Sequence, residues 1–344
     1  MLRSLYLAAG LAVLICMQTV AWGTEAEQQI AYQPGPDEAE VPEMFRLEAA
    51  TFESSRRPIK TTATGYDVWE VTFPSPVETA YAVNNTVHCE YFRPGQAAEN
   101  PVKKCPAVIV LHILGGDFDL SRLFARQLAQ GGVAALFVKL PYYGPRRPEG
   151  AKMRMVSENP RETVAGMRQA ILDIRRGVAW LAAQDEVDAE RLGVFGISLG
   201  GITGALALAI EPRLSMGCLM LAGGDVARVA WDNPELRKLR DRWTSQGGSK
   251  EEFFELWKSI DPITYADRAR GKRVLMLNAR NDEVIPPACS ESLWRALGEP
   301  DIVWYDAGHY SAARFLFDGL GRVSRFFRAS ADQSAAGKIK SACK

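Results

Sequence analysis

The chain has 344 residues, of which 47% are hydrophobic and 24% are charged, a composition typical of globular proteins. Lysine plus arginine and aspartate plus glutamate each total 41, so the formal net charge is zero. This balance excludes the strongly basic surface of a general nucleic-acid binder, and we expect no nucleic-acid partner.

The first 23 residues have the pattern of a signal peptide. Arg3 gives a positive start, an apolar run follows from Leu5 to Cys16, and Ala21 and Gly23 offer small residues at a cleavage site. Because the run is short for a membrane span, we predict export to the periplasm or the medium, with no stable membrane span after cleavage. An uncleaved N-terminal anchor is the alternative.

The sequence predicts one catalytic domain between two short segments. Residues 24–65 are polar and contain several prolines, and we interpret them as an N-terminal arm or linker. The catalytic domain is predicted at 66–329, and residues 225–262 could form a small helical cap within it. Residues 330–344 are small and polar and are expected to form a flexible tail.

Strands and helices alternate through the predicted domain after an antiparallel pair of strands at 66–73 and 86–92. This alternation indicates an α/β fold, with a mostly parallel sheet and helices on both faces. The other predicted strands are 107–111, 133–138, 192–197, 216–221, 274–277 and 302–305. The predicted helices are 120–130, 163–184, 199–210, two within 231–260, and 312–327.

Residues 196–200 read Gly-Ile-Ser-Leu-Gly and match the G-x-S-x-G pattern. A predicted strand ends in this motif and a helix rich in small residues follows it, which is the context of a nucleophile elbow. Glycines on both sides of Ser198 avoid steric clash in such a tight turn, and the helix N-terminus offers N–H groups to an oxyanion. We therefore predict Ser198 as a nucleophile.

A serine nucleophile needs a neighbouring base to take its proton. His309 is the only one of three histidines that lies after Ser198, and we predict it as that base. Asp282 follows a predicted strand and would hold the imidazole in the required tautomer. Asp225, which follows the preceding strand, is the open alternative, whereas Asp306 is too close in sequence to His309 to reach its ring easily.

The loop at 112–116 reads His-Ile-Leu-Gly-Gly and follows the predicted strand 107–111. A loop at this position supplies one amide of an oxyanion hole, and the residue after the nucleophile supplies the other. We therefore predict the backbone amides of Leu114 and Leu199 as the two donors. His112 resembles the histidine that opens the HG-type oxyanion motif, and this resemblance implies that it braces the loop.

Together these segments resemble the α/β-hydrolase superfamily over residues 66–328. The resemblance is closest to the dienelactone hydrolase and acetyl xylan esterase groups, and it lies in segments 111–116, 196–201, 281–286 and 308–309. It implies a serine hydrolase fold that needs no metal or organic cofactor. Dienelactone hydrolases use cysteine as nucleophile, so Ser198 favours an esterase. Ile113 stands where many relatives have glycine, which leaves open whether its own amide, that of Leu114 or that of Gly115 points inward.

The segment after the predicted strand 133–138 is expected near the mouth of the site, where α/β sheets bind ligands. Tyr142 and Tyr143 could wall the pocket. Arg146 and Arg147 could clamp an anionic group through bidentate hydrogen bonds. The alternative is a surface turn in which these arginines pair with nearby glutamates.

Cysteine usage gives one pairing hypothesis. Cys89 and Cys105 border a hairpin-like region and could form a disulfide in an exported protein. Cys218 lies in an apolar run and is expected to be a buried thiol. The cysteines and histidines form no cluster with metal-ligand spacing, so we expect no metal site.

These residues predict a hydrolase that cleaves a carboxylic ester of a small molecule or a carbohydrate through an acyl-enzyme. One alternative is an exopeptidase of the prolyl-oligopeptidase type, although the 65 residues before Tyr66 are too few for its usual extra domain. The other alternative is a binding protein that kept the fold and lost catalysis.

Overall fold

A computed structural model of the chain describes residues 25–61, 65–95, 104–150 and 154–329. The predicted signal peptide at 1–23 and the predicted tail at 330–344 lie outside the described residues. None of the helices within the described ranges combines the length and the apolar character needed to span a bilayer.

A single sheet of ten strands runs through the described part of the chain. The strands are β1 (Ala26–Tyr32), β2 (Ala50–Thr61), β3 (Tyr66–Pro74), β4 (Thr86–Pro94), β5 (Cys105–Leu111), β6 (Ala134–Val138), β7 (Val187–Ile197), β8 (Leu214–Met220), β9 (Arg273–Ala279) and β10 (Asp301–Tyr305). Their order across the sheet is β1-β2-β3-β4-β6-β5-β7-β8-β9-β10. The first four strands are antiparallel, β4 joins β6 in antiparallel fashion, and all pairs from β6 to β10 are parallel. The predicted α/β fold with a mostly parallel sheet is confirmed.

The described residues form eight α-helices. They are α1 (Phe118–Gln130), α2 (Pro160–Ala182), α3 (Leu199–Ile210), α4 (Val226–Asp232), α5 (Arg237–Ser245), α6 (Lys250–Lys258), α7 (Pro287–Ala296) and α8 (Leu316–Arg328). The region between β8 and β9 holds three helices, α4 to α6, where the sequence pattern predicted two. The sequence analysis missed α4 and α7, which have seven and ten residues.

The sheet separates two hydrophobic cores, and β5 shows how. Val108 and Val110 pack on the side of α1 and α8, whereas Ile109 and Leu111 pack on the side of α2 and α3. Successive side chains of a strand point to opposite faces, so a strand covered on both faces must be apolar at every position. This is why residues 107–111 form an uninterrupted apolar run.

The predicted N-terminal arm contributes two strands to the sheet, which corrects the interpretation of residues 24–65. Strand β1 pairs with β2, and β2 pairs with β3. The inward side chains of Ile30 and Phe52 are buried, and the Trp180 indole N–H donates to the Ser54 hydroxyl at 3.1 Å. The sequence pattern did not reveal β1 because it is an edge strand with the half-buried polar residue Gln28 among its inward positions.

The predicted Cys89–Cys105 disulfide is wrong, since both cysteines are free thiols. Cys89 lies in β4 opposite Val138 of β6, and Cys105 begins β5 on the other side of β6. A whole strand therefore lies between the two sulfur atoms, and a disulfide cannot span that separation. Cys218 is a buried thiol, as predicted.

The segment after β6 is anchored in the interior by Arg146, which is fully buried. Its guanidinium donates to the Asp173 carboxylate of α2 at 2.8 Å, to the Asn84 carbonyl at 2.8 Å and to the Lys139 carbonyl at 3.0 Å. Arg146 is therefore unable to clamp a substrate, and it pairs with none of the nearby glutamates proposed as alternative partners. A buried guanidinium needs carboxylate or carbonyl oxygens around it, and no local pattern in the sequence indicates Asp173 in that role.

Asp173→Ala would leave the Arg146 charge unpaired in the interior. We expect the free energy of unfolding to fall by about 3–5 kcal/mol, measured by urea denaturation followed by circular dichroism. The control is Glu291→Ala, which removes an exposed partner of Arg295 and should cost less than about 1 kcal/mol. Equal losses in the two variants would show that the Arg146 anchor contributes no more than a surface pair.

Candidate active site

The turn between β7 and α3 carries Ser198 in a strained backbone conformation. Ser198 has φ 55° and ψ −117°, a region that residues with a side chain rarely adopt. Its N–H donates to the Met220 carbonyl at the end of β8, at 2.9 Å. The turn therefore lifts the Ser198 side chain above the carboxyl edge of the sheet and ties its backbone to the neighbouring strand.

The glycines of the motif are required by close backbone packing. A Cβ atom on Gly196 would collide with the main chain of Gly200. A Cβ atom on Gly200 would lie 2.6 Å from the Leu111 carbonyl oxygen and 2.7 Å from the His112 carbonyl oxygen. The first turn of α3 is thus pressed against the end of β5, where the loop 112–116 begins.

The side chains of Ser198, His309 and Asp282 form a continuous hydrogen-bonded chain. His309 Nε2 lies 3.0 Å from Ser198 Oγ, and His309 Nδ1 lies 2.8 Å and 3.0 Å from the two carboxylate oxygens of Asp282. With the proton on Nδ1 donated to Asp282, Nε2 offers its lone pair to the serine hydroxyl. This arrangement can draw a proton from Ser198 and activate it as a nucleophile.

The three side chains come from the carboxyl ends of three strands. Ser198 follows β7, Asp282 follows β9 and His309 follows β10. The Asp282 carboxylate is nearly buried and also accepts the N–H groups of Val284 and Ile285, at 2.9 and 2.7 Å. These two amides fix the carboxylate so that it faces the imidazole.

Neither alternative acid contacts the imidazole in the described ranges. Asp225 lies at the start of α4 with φ 49°, close to the buried Asp261. Burial raises the pKa of Asp261 to about 6, and the nearby Asp225 carboxylate adds to the rise. Asp306 accepts a hydrogen bond from the Asn281 side chain at 3.2 Å.

Glu283 holds the loop that carries His309, and the sequence analysis missed it. One of its carboxylate oxygens accepts the His309 backbone N–H at 2.8 Å. The same oxygen occupies the space that a side chain at position 308 would need, so any residue larger than Gly308 would have to displace this carboxylate. The hydrogen bond from the His309 main chain lowers the pKa of Glu283, which is exposed. The sequence feature that could have identified Glu283 is its position directly after Asp282, at the end of the same strand.

His112 braces the loop at 112–116 from the interior. It is fully buried, its Nε2 accepts the Leu140 N–H at 3.1 Å, and its Nδ1 lies 2.8 Å from the Ile113 carbonyl oxygen. Because a backbone N–H can only donate, Nε2 is the acceptor and the ring proton is on Nδ1. Burial lowers the pKa of His112 to about 4, so the ring is neutral at physiological pH.

The fixed Ile113 carbonyl also sets the direction of the next amide. This carbonyl accepts hydrogen bonds from His112 and from the Gly116 N–H, the latter at 3.0 Å. A trans peptide points its N–H away from its C=O, so the Leu114 N–H points away from the buried imidazole. Within the described part of the chain, the N–H groups of Leu114 and Leu199 have no protein acceptor. They are available to a ligand.

The structure separates the predicted substrate-binding residues. Tyr143 is half-buried and its hydroxyl donates to the Leu114 carbonyl at 2.8 Å. Tyr142 is buried with φ 66°, and its ring packs edge-on against Tyr81 at 6.2 Å. Arg147 is exposed on the surface. Tyr143 is therefore the residue of this group that contacts the loop at 112–116. Over the described ranges, His, Cys, Asp and Glu side chains form no group of three or more able to hold a metal ion.

Two family profiles match the chain. The profile described as "Alpha/beta hydrolase domain containing 18" matches residues 55–233, more than half of the chain, and includes Ser198. The profile of the prolyl oligopeptidase family matches residues 168–314, which include Ser198, Asp282 and His309. The two matches overlap at residues 168–233, from α2 to α4, and together extend from β2 to the loop after β10.

A curated relative is an uncharacterized protein of Mycobacterium tuberculosis, Rv2627c. It is 27% identical over 207 residues, which are 59% of this chain and 47% of the relative. The chain therefore spans about half the length of the curated relatives it matches.

Solved structures share the fold at low sequence identity. An acetyl xylan esterase from Paenibacillus is 20% identical, with a TM-score of 0.61, over 77% of this chain and 88% of the esterase. Acetyl xylan esterase 1 from Thermoanaerobacterium is 19% identical, with a TM-score of 0.60, over 79% of this chain and 87% of the esterase. A cold-adapted esterase from an Arctic metagenomic library has a TM-score of 0.52 at 14% identity, over 79% of this chain and 97% of that esterase. The predicted resemblance is confirmed at the level of the fold.

The low pKa of His112 makes stability depend on pH. The unfolded state takes up a proton near the usual pKa of 6.5, whereas folded His112 resists it down to about 4. Acid therefore favours the unfolded state between these two pH values. As the pH falls from 6.5 to 4, the protonation of His112 lowers the free energy of unfolding by up to about 3 kcal/mol. We expect His112→Asn to remove this part of the slope when the free energy of unfolding is measured from pH 7 to pH 4.5. Parallel slopes in the two proteins would contradict the buried, neutral imidazole.

Proposed function

We propose that this chain is a serine hydrolase of carboxylic esters, because it belongs to the family described as "Alpha/beta hydrolase domain containing 18" and its Ser198 contacts a histidine base. The single observation that carries the proposal is the position of the His309 ring. It lies within hydrogen-bond distance of the Ser198 hydroxyl on one side and the Asp282 carboxylate on the other. That arrangement supports the assignment of nucleophile, base and orienting acid.

In the proposed reaction, Ser198 Oγ attacks the ester carbonyl carbon while its proton passes to His309 Nε2. The carbonyl oxygen becomes an oxyanion that accepts the N–H groups of Leu114 and Leu199. Asp282 stabilises the imidazolium that forms. The tetrahedral intermediate expels the alcohol, which takes the proton from His309, and an acyl-enzyme remains.

Hydrolysis of the acyl-enzyme repeats these steps with water. His309 takes a proton from the water, whose oxygen attacks the acyl carbon, and the second oxyanion uses the same two amides. Collapse of this intermediate releases the carboxylic acid, and His309 returns a proton to Ser198 Oγ. Bonds and protons balance without a cofactor.

The side chains around Ser198 favour an uncharged ester. Leu114 is 38% exposed on the loop that supplies one amide, and Tyr310, which follows the base, is 62% exposed. Of the two arginines predicted to clamp an anionic group, Arg146 is buried in an ion pair and Arg147 is exposed on the surface, so the predicted two-arginine clamp does not form. The names of two structural neighbours add acetylated carbohydrate to the candidates. We propose that the substrate is a small-molecule or carbohydrate ester whose acyl group carries no charge.

A second candidate function is peptide-bond hydrolysis. The prolyl oligopeptidase profile matches residues 168–314, a range that includes all three candidate catalytic residues. The same serine, base and amides would serve an amide substrate, with His309 returning its proton to the leaving amine. Ester and amide substrates must therefore be compared directly.

Covalent labelling tests the nucleophile. We expect a fluorophosphonate probe to label the wild-type protein at one site and to leave Ser198→Ala unlabelled. We expect the wild type to cleave p-nitrophenyl acetate or acetylated xylan and the Ser198→Ala variant to leave these substrates intact. Labelling that persists in Ser198→Ala, or a wild type that is neither labelled nor active, would contradict the proposal. Cleavage of aminoacyl anilides without ester cleavage would favour the peptidase.

A pair of isosteric variants tests the acid. Asp282→Asn should lower kcat by about 10³- to 10⁴-fold, because the amide favours the wrong tautomer of His309. Asp225→Asn makes the same chemical change at the alternative acid, and its kcat should stay within about threefold of the wild type. If Asp225→Asn gives the large loss and Asp282→Asn the small one, the assignment of the acid is wrong.

Export remains a proposal that rests on the pattern of residues 1–23. We expect the protein recovered from the periplasm or the medium of an expressing bacterium to begin at Thr24 when its N-terminus is sequenced. Recovery from the membrane fraction with Met1 still present would instead support the uncleaved anchor.

A further inference from the structure

We propose that Tyr143 is a positioning residue for the oxyanion hole, because its phenol fixes the loop that presents the Leu114 N–H. The proposal rests on the serine-hydrolase function proposed above and names a residue that acts through another. Tyr143 was predicted to wall the substrate pocket, and its contacts point to a different task.

Tyr143 contacts three residues of the five-residue loop at 112–116. Its hydroxyl donates to the Leu114 carbonyl at 2.8 Å. Its ring lies edge-on to the His112 imidazole, with the ring centres 4.5 Å apart. A Cβ atom on Gly116 would lie 3.0 Å from Cδ1 of the same ring, so the ring also covers the end of the loop.

The loop at 112–116 has few internal contacts that restrain its backbone. Two of its five residues are glycines, and Gly116 has φ 70°. The hydrogen bond from the Gly116 N–H to the Ile113 carbonyl is the one backbone bond within the loop. Without side-chain restraints, the peptide groups next to Leu114 could rotate at low cost.

His112 and Tyr143 restrain the two peptide groups on either side of the Leu114 Cα. The carbonyl before it, that of Ile113, is held by His112 Nδ1. The carbonyl after it, that of Leu114 itself, is held by the Tyr143 hydroxyl. The Leu114 N–H shares a planar peptide with the Ile113 carbonyl, so Tyr143 acts on it indirectly, by holding the following peptide between Leu114 and Gly115. If Tyr143 released the Leu114 carbonyl, this second peptide could rotate, and the Leu114 N–H would be held in place from one side only.

Tyr143 is itself well fixed and remains a donor. Its own N–H donates to the Leu140 carbonyl at 3.2 Å, and Leu140 in turn donates to His112. Three residues further along the chain, the buried Arg146 anchors the segment to α2. Burial raises the pKa of the Tyr143 phenol to about 12, so the hydroxyl keeps its proton through the range in which enzymes are assayed.

The effect should appear in the transition state more than in substrate binding. An ester carbonyl oxygen is a weak acceptor, and it acquires a full charge only as the tetrahedral intermediate forms. A misaligned Leu114 amide therefore loses most of its contribution at that point. Loss of the phenol should lower kcat while KM changes little, a split that general destabilisation of the fold would not produce.

The test compares two Tyr→Phe variants that lose the same kind of hydrogen bond. In Tyr143→Phe the ring remains against His112 and only the bond to the Leu114 carbonyl is lost. In the control, Tyr265→Phe, the lost bond is from the Tyr265 hydroxyl to the Ser259 carbonyl at 3.0 Å, in the helical region between β8 and β9. Both variants are assayed with p-nitrophenyl acetate, with a fluorophosphonate probe and with a phenylboronic acid, which binds serine hydrolases as a charged tetrahedral adduct.

We expect Tyr143→Phe to lower kcat by about 10- to 100-fold, with KM within about threefold of the wild type. Its rate of fluorophosphonate labelling and its affinity for the boronic acid should fall by similar factors. Tyr265→Phe should keep wild-type values in all three assays. Amide hydrogen exchange at 113–116 should become faster in Tyr143→Phe alone, which gives a readout that needs no activity.

Equal values for Tyr143→Phe and Tyr265→Phe, in a wild type that is labelled at Ser198, would overturn the role of Tyr143 and leave the proposed function intact. An equal loss in both variants, or a rise in KM with kcat unchanged, would also overturn it. A wild type that neither hydrolyses esters nor reacts with the probe would overturn the proposed function, and the inference with it.

Discussion

The close approach of main chain to main chain at the start of α3 is the constraint on which the site depends. The carbonyl oxygens of Leu111 and His112 lie where a Cβ of Gly200 would be, so the helix reaches the end of β5 only because position 200 has no side chain. This contact places the Leu199 amide beside the loop that contains Leu114. Just before this contact, Ser198 has a positive φ where the chain passes from strand to helix within one residue. The free energy that holds this conformation comes from the packed sheet and helices around it.

The parallel sheet turns distant sequence positions into neighbours. Adjacent parallel strands end at the same edge, so residues that follow β7, β9 and β10 meet although they are far apart in the chain. The apolar strands make this edge rigid, because both of their faces are buried. Polar contacts then fix the loops one at a time: Glu283 holds the His309 backbone, two amides hold Asp282, and His112 holds the loop after β5. The hydrogen-bonded chain of Ser198, His309 and Asp282 needs both the rigid core and the polar contacts that orient each loop.

The sequence was sufficient where one local pattern determines the structure. The continuous apolar run at 107–111 and the glycines around Ser198 each have a single structural explanation, and the strands and the turn follow from them. The sequence was insufficient where a partner distant along the chain determines the structure of a segment. Strand β1 is recognisable only by its pairing with β2, and β2 by its pairing with β3. The burial of Arg146 depends on Asp173 in α2. Glu283 was missed for the same reason, since its partner is a backbone amide 26 residues away.

The segment after β6 shows how neighbouring residues are given different tasks by backbone geometry. Tyr142 and Gly144 both have positive φ, at 66° and 55°, so the chain changes direction on each side of Tyr143. As a result Tyr142 faces Tyr81, Tyr143 faces the loop at 112–116, and Arg146 turns into the interior. An expectation that consecutive residues after a strand share one pocket ignores such reversals. Arg146 is held by Asp173, Asn84 and Lys139, so the ion pair that cannot bind substrate still fixes the chain three residues beyond Tyr143.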